Sequence, residues 1–233
     1  MISGDVKDAV RDFVFGMEDG LVSNLGLALG VSAGSGDAST VVLAGAASMF
    51  AGAFSMSAGS YLSSKSQREI YEHEIETARE DLKKNPRKCY KEIRSSWMEE
   101  GLSKEEIGRL LKKSSSYKHP EFFCNYMVHK KVGISKEKLE IPLKNASVMF
   151  FSFLFGSAVP LLPFLVSKFN HVSLFQAAVV AASLTVVALF GVGWVKTSYT
   201  KLSRFKSGLE VVLIGLGAGL IGYLVGWAVG ALG

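Results

Sequence analysis

Cysteine is nearly absent from this chain of 233 residues: Cys89 and Cys124 are the whole supply. Two thiols without C-x-x-C or Cys/His spacing build neither a disulfide framework nor a zinc site, and both are expected to be reduced. Histidine is almost as scarce, with four. His73, His119 and His129 lie in a charged stretch and His171 beside an apolar one, so no serine within an apolar segment has a base at its own depth. That argues against an intramembrane hydrolase, and Gly34-Ser35-Gly36 has no histidine near it in sequence. The chain is read as a non-enzyme. No cleavable leader is expected: Asp5, Asp8 and Asp12 offset Lys7 and Arg11, and the first apolar run is expected to stay in the mature protein.

Apolar residues are abundant, at 48%, and the mean hydropathy is +0.27. Charge is confined rather than dispersed: of 26 Lys and Arg, 19 fall between Lys65 and Lys144, together with 14 of the 21 acids. The distribution predicts an all-α membrane protein with one soluble insertion. Five apolar segments are long enough, at about 1.5 Å per helical residue, to cross a hydrocarbon core of about 30 Å. They are Phe13–Val31, Val41–Leu62, Ala146–Val166, Val172–Val195 and Leu209–Leu232. The expected domains are residues 1–63 with transmembrane helices one and two, a small helical cytoplasmic domain over 64–144, and residues 145–233 with transmembrane helices three to five. An inside N-terminus puts 25 of the 26 Lys and Arg on the inner side and only Lys168 outside, as the positive-inside rule requires. The N-terminus and residues 64–144 are then cytoplasmic and the C-terminus lies opposite.

The first span carries acids where leucine is usual. Asp12, Gly16, Asp19, Ser23, Gly26 and Gly30 recur at spacings of three and four and share one helical face. Small residues suit close helix packing, which accounts for the glycines and not for Asp19. An acid near the centre of a span costs about 2.5–3.5 kcal/mol and is read by default as part of a site or pathway. Glu18 shares its face with Val14, Phe15, Val22 and Leu25, where it can pair with Arg11 or act as a ligand. Nine Val, Leu and Phe favour insertion by about 3–5 kcal/mol in total, against up to about 6 for two central acids, so this helix is expected to be enclosed by protein. Ser32–Thr40 reads as a short outer loop. In the second span Gly45, Ser48, Gly52, Ser55 and Gly59 form a matching stripe beside Met49 and Met56. Methionine is usually core filler, but among small neighbours its sulfur stays accessible as a soft ligand.

No helix stop occurs between Tyr61 and Ser66, so the second helix is expected to run on into the charged block. There Glu69, Glu72, Glu76 and Glu80 lie about a turn apart beside His73. They form either a carboxylate face or a solvated face paired as Glu72 to Arg68 and Glu80 to Lys84. Asn85-Pro86 opens a helix to about Glu100. Ser103-Lys104-Glu105-Glu106 is a capping box for another, to about Lys113, and Pro120 starts a fourth, to about Lys131. Trp97, Leu102, Ile107, Leu110, Phe122, Phe123 and Met127 are the expected small core. In the third span Pro160 and Pro163 are expected to interrupt the helix and free backbone carbonyls. In the fifth, Gly222, Gly226 and Gly230 at four-residue spacing predict close helix contact, and Glu210 at its mouth is expected to pair with Lys206.

Three segments, DFVFGMEDGLVSNLGLALGVS (Asp12–Ser32), AGAFSMSAGSYLSSKS (Ala51–Ser66) and GSAVPLLPF (Gly156–Phe164), together with the five-span layout, resemble the vacuolar iron transporter family over nearly the whole chain. The resemblance implies transport of ferrous or manganous ions, with proton exchange in characterised members, by a homodimer whose first helices line a path between subunits. It implies that Asp19, in a G-x-x-D-G-L pattern, and Met56, in an S-M-x-x-G-x-Y-L pattern, contact the ion. The chain departs from the family at Ser48, where better-known members carry a glutamate, and at Glu18, where they carry a small polar residue. It also departs at Pro86–Lys91 and Met127–Lys131, which are basic where acids occur in members that collect metal.

The leading expectation is secondary transport of Fe2+ or Mn2+ as cargo, by proton-coupled antiport out of the cytoplasm, with no resident cofactor. Asp19 supplies a hard, protonatable ligand and Met56 a soft one; Glu18, Ser23 and Ser55 complete the pathway set. Glu72, Glu76, Glu80, Asp81 and Met127 are candidates for a reduced cytoplasmic metal site. The expected partners are the metal ion, protons, the lipid bilayer and a second copy of the chain, with no nucleic acid. The alternative is a non-transporting membrane protein whose basic cytoplasmic domain binds lipid head groups or a protein partner. Asp19 discriminates, because an anchor has no use for it.

Overall fold

The computed structural model describes residues 4–113, 125–130, 141–170, 172–197 and 203–232. Every regular element among them is an α-helix. In chain order these are α1 (Gly4–Ser35), α2 (Ala38–Lys84), α3 (Pro86–Glu99), α4 (Lys104–Lys113), α5 (residues 125–130), α6 (Pro142–Phe169), α7 (Leu174–Thr197) and α8 (Arg204–Gly230). The chain divides into two units, Met1–Leu62 with Ile141–Gly233, and Ser63–Glu140.

In the first unit α1 is the helix on which α6, α7 and α8 converge. It packs along α6 and α8 and, less extensively, α7. Leu25 and Ala28 meet Leu161 and Phe164 of α6 and Ala177 and Ala181 of α7, while Leu21 meets Leu189 and Val192 of α7 and Val211 and Val212 of α8. Among the described residues α2, α6, α7 and α8 are long and apolar enough to cross a membrane. The expected fifth, α1, is long enough, at 32 residues or about 48 Å, but does not reach that apolarity. Glu18, Asp19 and Asn24 interrupt its apolar residues, and the enclosure by neighbouring helices means it does not need a lipid-facing surface all round.

Glycine sets how closely α1 meets α8. A Cβ on Gly30 would lie 2.6 Å from the Gly222 carbonyl oxygen, and one on Gly34 would lie 2.9 Å from that of Gly226. The predicted close contact of the fifth span is thus present, with Gly26, Gly30 and Gly34 as its counterpart. The linker is shorter than expected. Only Gly36, at φ 63°, and Asp37 separate α1 from α2, and Asp37 Oδ2 accepts hydrogen bonds from the Thr40 amide (2.8 Å) and hydroxyl (2.7 Å), capping α2. The paired prolines do not interrupt the third span either: α6 is continuous through Pro160 and Pro163, both buried. Proline costs each the hydrogen bond to the carbonyl four residues back, at Gly156 and Val159, but the buried neighbours hold the helix together.

The second unit has two small cores. Tyr71 and Ala78 of α2 pack with Val128 of α5, and Ile93 and Trp97 of α3 pack with Ile107 of α4, with Leu102 and Met127 against them. The expected core member Leu110 is 39% exposed, and Leu111 takes the inward place. Phe122 and Phe123 lie outside the described residues, as does about half of the predicted fourth soluble helix, of which 125–130 is helical. Ser103 and Glu106 form the predicted capping box, with Ser103 N donating to Glu106 Oε2 at 2.9 Å and Glu106 N to Ser103 Oγ at 3.3 Å. At the end of α3, Gly101 has φ 95° and Leu102 N bonds back to the Trp97 carbonyl, a glycine C-cap. Cys89 is a free, buried thiol, and burial pushes its pKa up; Cys124 lies outside the described residues.

Candidate functional site

The small-residue face of α1 divides between two neighbours. Gly16 and Gly20 face α6, at Ser152 and Met149 and at Phe153 and Ser157, while Gly26 and Gly30 face α8, at Ala218 and Gly222. The packing explanation therefore accounts for the three glycines of that face, Gly16, Gly26 and Gly30, and for Gly20 beside it. Between the two contacts the same face presents Asp19, half-buried, and Ser23, exposed. The Ser23 hydroxyl donates to the Asp19 main-chain carbonyl, not to its carboxylate. Among the described residues the Asp19 carboxylate has neither a hydrogen bond nor an ion pair, on a helix whose neighbours α6, α7 and α8 are largely apolar. A carboxylate in that setting is poised for a cation or a proton.

Glu18 has different surroundings. It does not pair with Arg11, which binds Asp12 at 3.1 Å. The charged groups nearest in effect are Lys196 of α7, Glu210 of α8 and the adjacent Asp19. Glu210 in turn makes no ion pair with Lys206 among the described residues, contrary to expectation. One polar residue escaped the sequence reading. Asn24 is fully buried, and its Nδ2 donates to Ser157 Oγ of α6 at 2.8 Å, a polar tie between α1 and the proline-containing helix. An amide amid leucines was its signal, since such side chains commonly bond across membrane helices.

The stripe of α2 does not mirror that of α1. Gly45 and Gly52 face Leu161 and Phe153 of α6, whereas Ser55 and Gly59 are exposed, and Ser48 and Met56 are half-buried. Among the described residues α1 and α2 share no extensive backbone packing.

In the second unit, α2, α3 and α5 enclose a cavity of about 380 Å³. Asp81 and Met127, both predicted, line it, joined by Glu74, Glu92 and Glu99, which the sequence reading passed over. Glu72, Glu76 and Glu80 are not there. They are exposed and paired with Arg68 (2.9 Å), Arg79 (3.4 Å) and Lys84 (2.7 Å), the solvated alternative. The residues brought to the cavity recur as 74, 77, 78 and 81, the face of α2 that also carries Tyr71; the period was readable but not which face meets a neighbour. Lys130 enters the cavity too and holds Glu99 at 3.1 Å.

Residues 10–227 match the model of the VIT family. The chain belongs to the VIT family. Its relatives include Vacuolar iron transporter 1 of Eucalyptus grandis, 30% identical over 208 residues, which cover 89% of this chain and 81% of the relative. Vacuolar iron transporter 1 of Oryza sativa subsp. japonica is 31% identical over 221 residues, 95% of this chain and 84% of the relative. Vacuolar iron transporter of Plasmodium falciparum is 25% identical over 224 residues, 94% and 82% respectively. Membership in the VIT family and the four apolar helices make this an integral membrane protein. Among the described residues of this VIT-family chain no group of three or more His, Cys, Asp and Glu is placed to hold a metal. The carboxylates at the cavity therefore line it without converging.

Proposed function

We propose that the protein transports a divalent transition-metal ion, Fe2+ or Mn2+, across a membrane in exchange for protons, and that Asp19 is the group that alternates between them. The observation that carries this reading is the half-buried Asp19 carboxylate, left without a partner among the described residues on the helix against which α6, α7 and α8 pack. Family membership and the names of the relatives point the same way. Metal binding favours the ionised carboxylate, and release allows it to take up a proton, so one group in a low-dielectric setting couples the two flows. An anchor that carries no cargo gives Asp19 no role.

In this reading α1 crosses the membrane as a fifth span, the N-terminus and residues 64–144 are cytoplasmic, and ions leave the cytoplasm. Met56 supplies a soft ligand, and Ser23 and Ser55 border the path. Because α1 and α2 are not closely packed within one chain, the path needs a second copy to complete it. The exposed Phe50, Phe54, Ser55 and Ser23 are consistent with such a homodimer. Asp81 and Met127, with Glu74, Glu92 and Glu99, mark where the cytoplasmic block would attract metal, weakly because the carboxylates do not converge. The test is uptake by purified protein in liposomes holding a metal-sensitive dye and a pH-sensitive dye. Metal entry with matching proton exit is expected, and traces identical to those of protein-free liposomes would defeat the reading.

A further inference from the structure

Exposed aromatic side chains stand towards both ends of α7 and α8. At about 1.5 Å per residue, Phe175 and Trp194 lie about 28 Å apart along α7, and Phe205 and Trp227 about 33 Å apart along α8; all four are exposed. That separation matches a hydrocarbon core of about 30 Å, and tryptophan collects where such a core meets the head groups. Trp194 and Phe205 therefore mark one boundary of the bilayer, at the end where α7 leads to α8. Packing fixes them there. The Phe190 ring lies 6.1 Å from that of Trp194 and 6.0 Å from that of Phe205, and it rests against Gly208, where a Cβ would come within 2.6 Å of it.

The charge at this boundary is basic and not neutralised by the chain. The Arg204 guanidinium lies over the Trp194 ring, 5.5 Å from its centroid. Stacking of this kind engages the cation while leaving its N–H donors for an acceptor. Among the described residues neither Arg204 nor Lys206 has an ion pair, and both are exposed. In the charged block, by contrast, Arg68, Arg79, Lys84 and Lys130 are each held by a carboxylate of the chain itself. Lys196, half-buried in the last turn of α7, adds a third positive charge, and the first two turns of α8 carry a single carboxylate, Glu210.

We propose that Arg204 and Lys206 bind the phosphate of an anionic phospholipid head group, with Trp194 and Phe205 against the start of its acyl chains. Phosphate suits the pair: the guanidinium fork can grip it through two parallel bonds, and the lysine ammonium adds a mobile point charge. The exposed rings commit the site to a lipid, because a dissolved anion has no apolar part to lay against them. Each cation near an anionic membrane surface is worth about fivefold in affinity, so two unpaired ones should give a preference large enough to measure. The inference needs only that the protein lies in a bilayer, and it stands apart from the transport reading.

The test is fluorescence quenching in the full-length chain carrying Trp97→Phe and Trp227→Phe, which leaves Trp194 as the only one of three tryptophans. The protein is reconstituted in phosphatidylcholine vesicles that hold a small, equal fraction of brominated phosphatidylglycerol or brominated phosphatidylcholine. Quenching should be several-fold more efficient with the brominated phosphatidylglycerol. Arg204→Gln with Lys206→Gln should erase that preference while leaving quenching by brominated phosphatidylcholine unchanged, which shows Trp194 still at the same level. Lys168→Gln, at the other end of the spans, should keep it. Equal quenching by the two lipids, or a preference that survives in the double variant, overturns the inference. So does loss of the preference on adding inorganic phosphate at constant ionic strength, which would make the ligand a dissolved anion. Thermal unfolding in detergent gives a second reading without the tryptophan changes. Added phosphatidylglycerol should raise the Tm more in wild type than in Arg204→Gln/Lys206→Gln, and an equal rise in both overturns the site.

Discussion

Asp19 and Glu18 are neighbours in sequence, both half-buried, and their surroundings were only half legible. An acid inside an apolar run cannot be hidden, so Asp19 stood out at once. The environment of Glu18 comes from Lys196 and Glu210, far along the chain, and local spacing suggested Arg11 instead. Met56 was legible as an exception among small residues, but the lack of extensive packing between α1 and α2 within one chain was not. Met56→Leu keeps the volume and removes the sulfur, so it should slow Fe2+ uptake several-fold more than Mn2+ uptake; equal effects on both ions would remove the soft-ligand role. Asp37 provides a pH test. The Thr40 hydroxyl, and then the Thr40 and Ser39 amides, hold its carboxyl below the usual range by binding the ionised form. A lowered folded pKa means that its stabilisation is fully present above the unfolded carboxylate range and lost as pH falls through the folded value. Hydrogen exchange at the first amides of α2 should be faster in Asp37→Ala than in wild type at neutral pH, with the difference vanishing in strong acid.

At the scale of elements, period and composition located the apolar helices well and their partners less well. The run of α2 to Lys84, the capping box of α4 and the glycine spacing of α8 were each set by local chemistry and are found as expected. The α6 prolines were misjudged because the cost of a missing amide is local while the packing that offsets it is not. The small stripe of α1 looked like one pathway face. In the structure its ends are contacts with α6 and α8, leaving Asp19 and Ser23 between them. Gly226→Leu should therefore force α1 and α8 apart and destabilise by about 1–3 kcal/mol, the usual range for overpacking. Thermal unfolding in detergent can measure this, with Gly217→Leu as the control, since nothing lies within 4 Å of a Cβ at Gly217. An equal loss of stability in both variants would deny the α1–α8 contact its importance.

For the molecule as a whole, an all-helical architecture followed from confinement of charge to one block between apolar segments. The assignment of α1 as a span did not follow from apolarity, because a helix enclosed by others can carry acids that a lipid-facing one cannot. Orientation rests on the positive-inside rule. Cysteines placed singly at Gly101 and Leu232, in a chain without Cys89 and Cys124, should label from opposite sides of a sealed vesicle; labelling from one side would remove the five-span arrangement. The central claim is that Asp19 exchanges a proton for a divalent metal. Its most direct test compares wild type with Asp19→Asn, nearly isosteric and neutral, in liposomes containing metal-sensitive and pH-sensitive dyes, after both proteins are shown to have the same size and thermal stability. The account predicts Fe2+ uptake with proton counterflow in wild type and neither in Asp19→Asn. Equal uptake and equal proton movement in the two would contradict it.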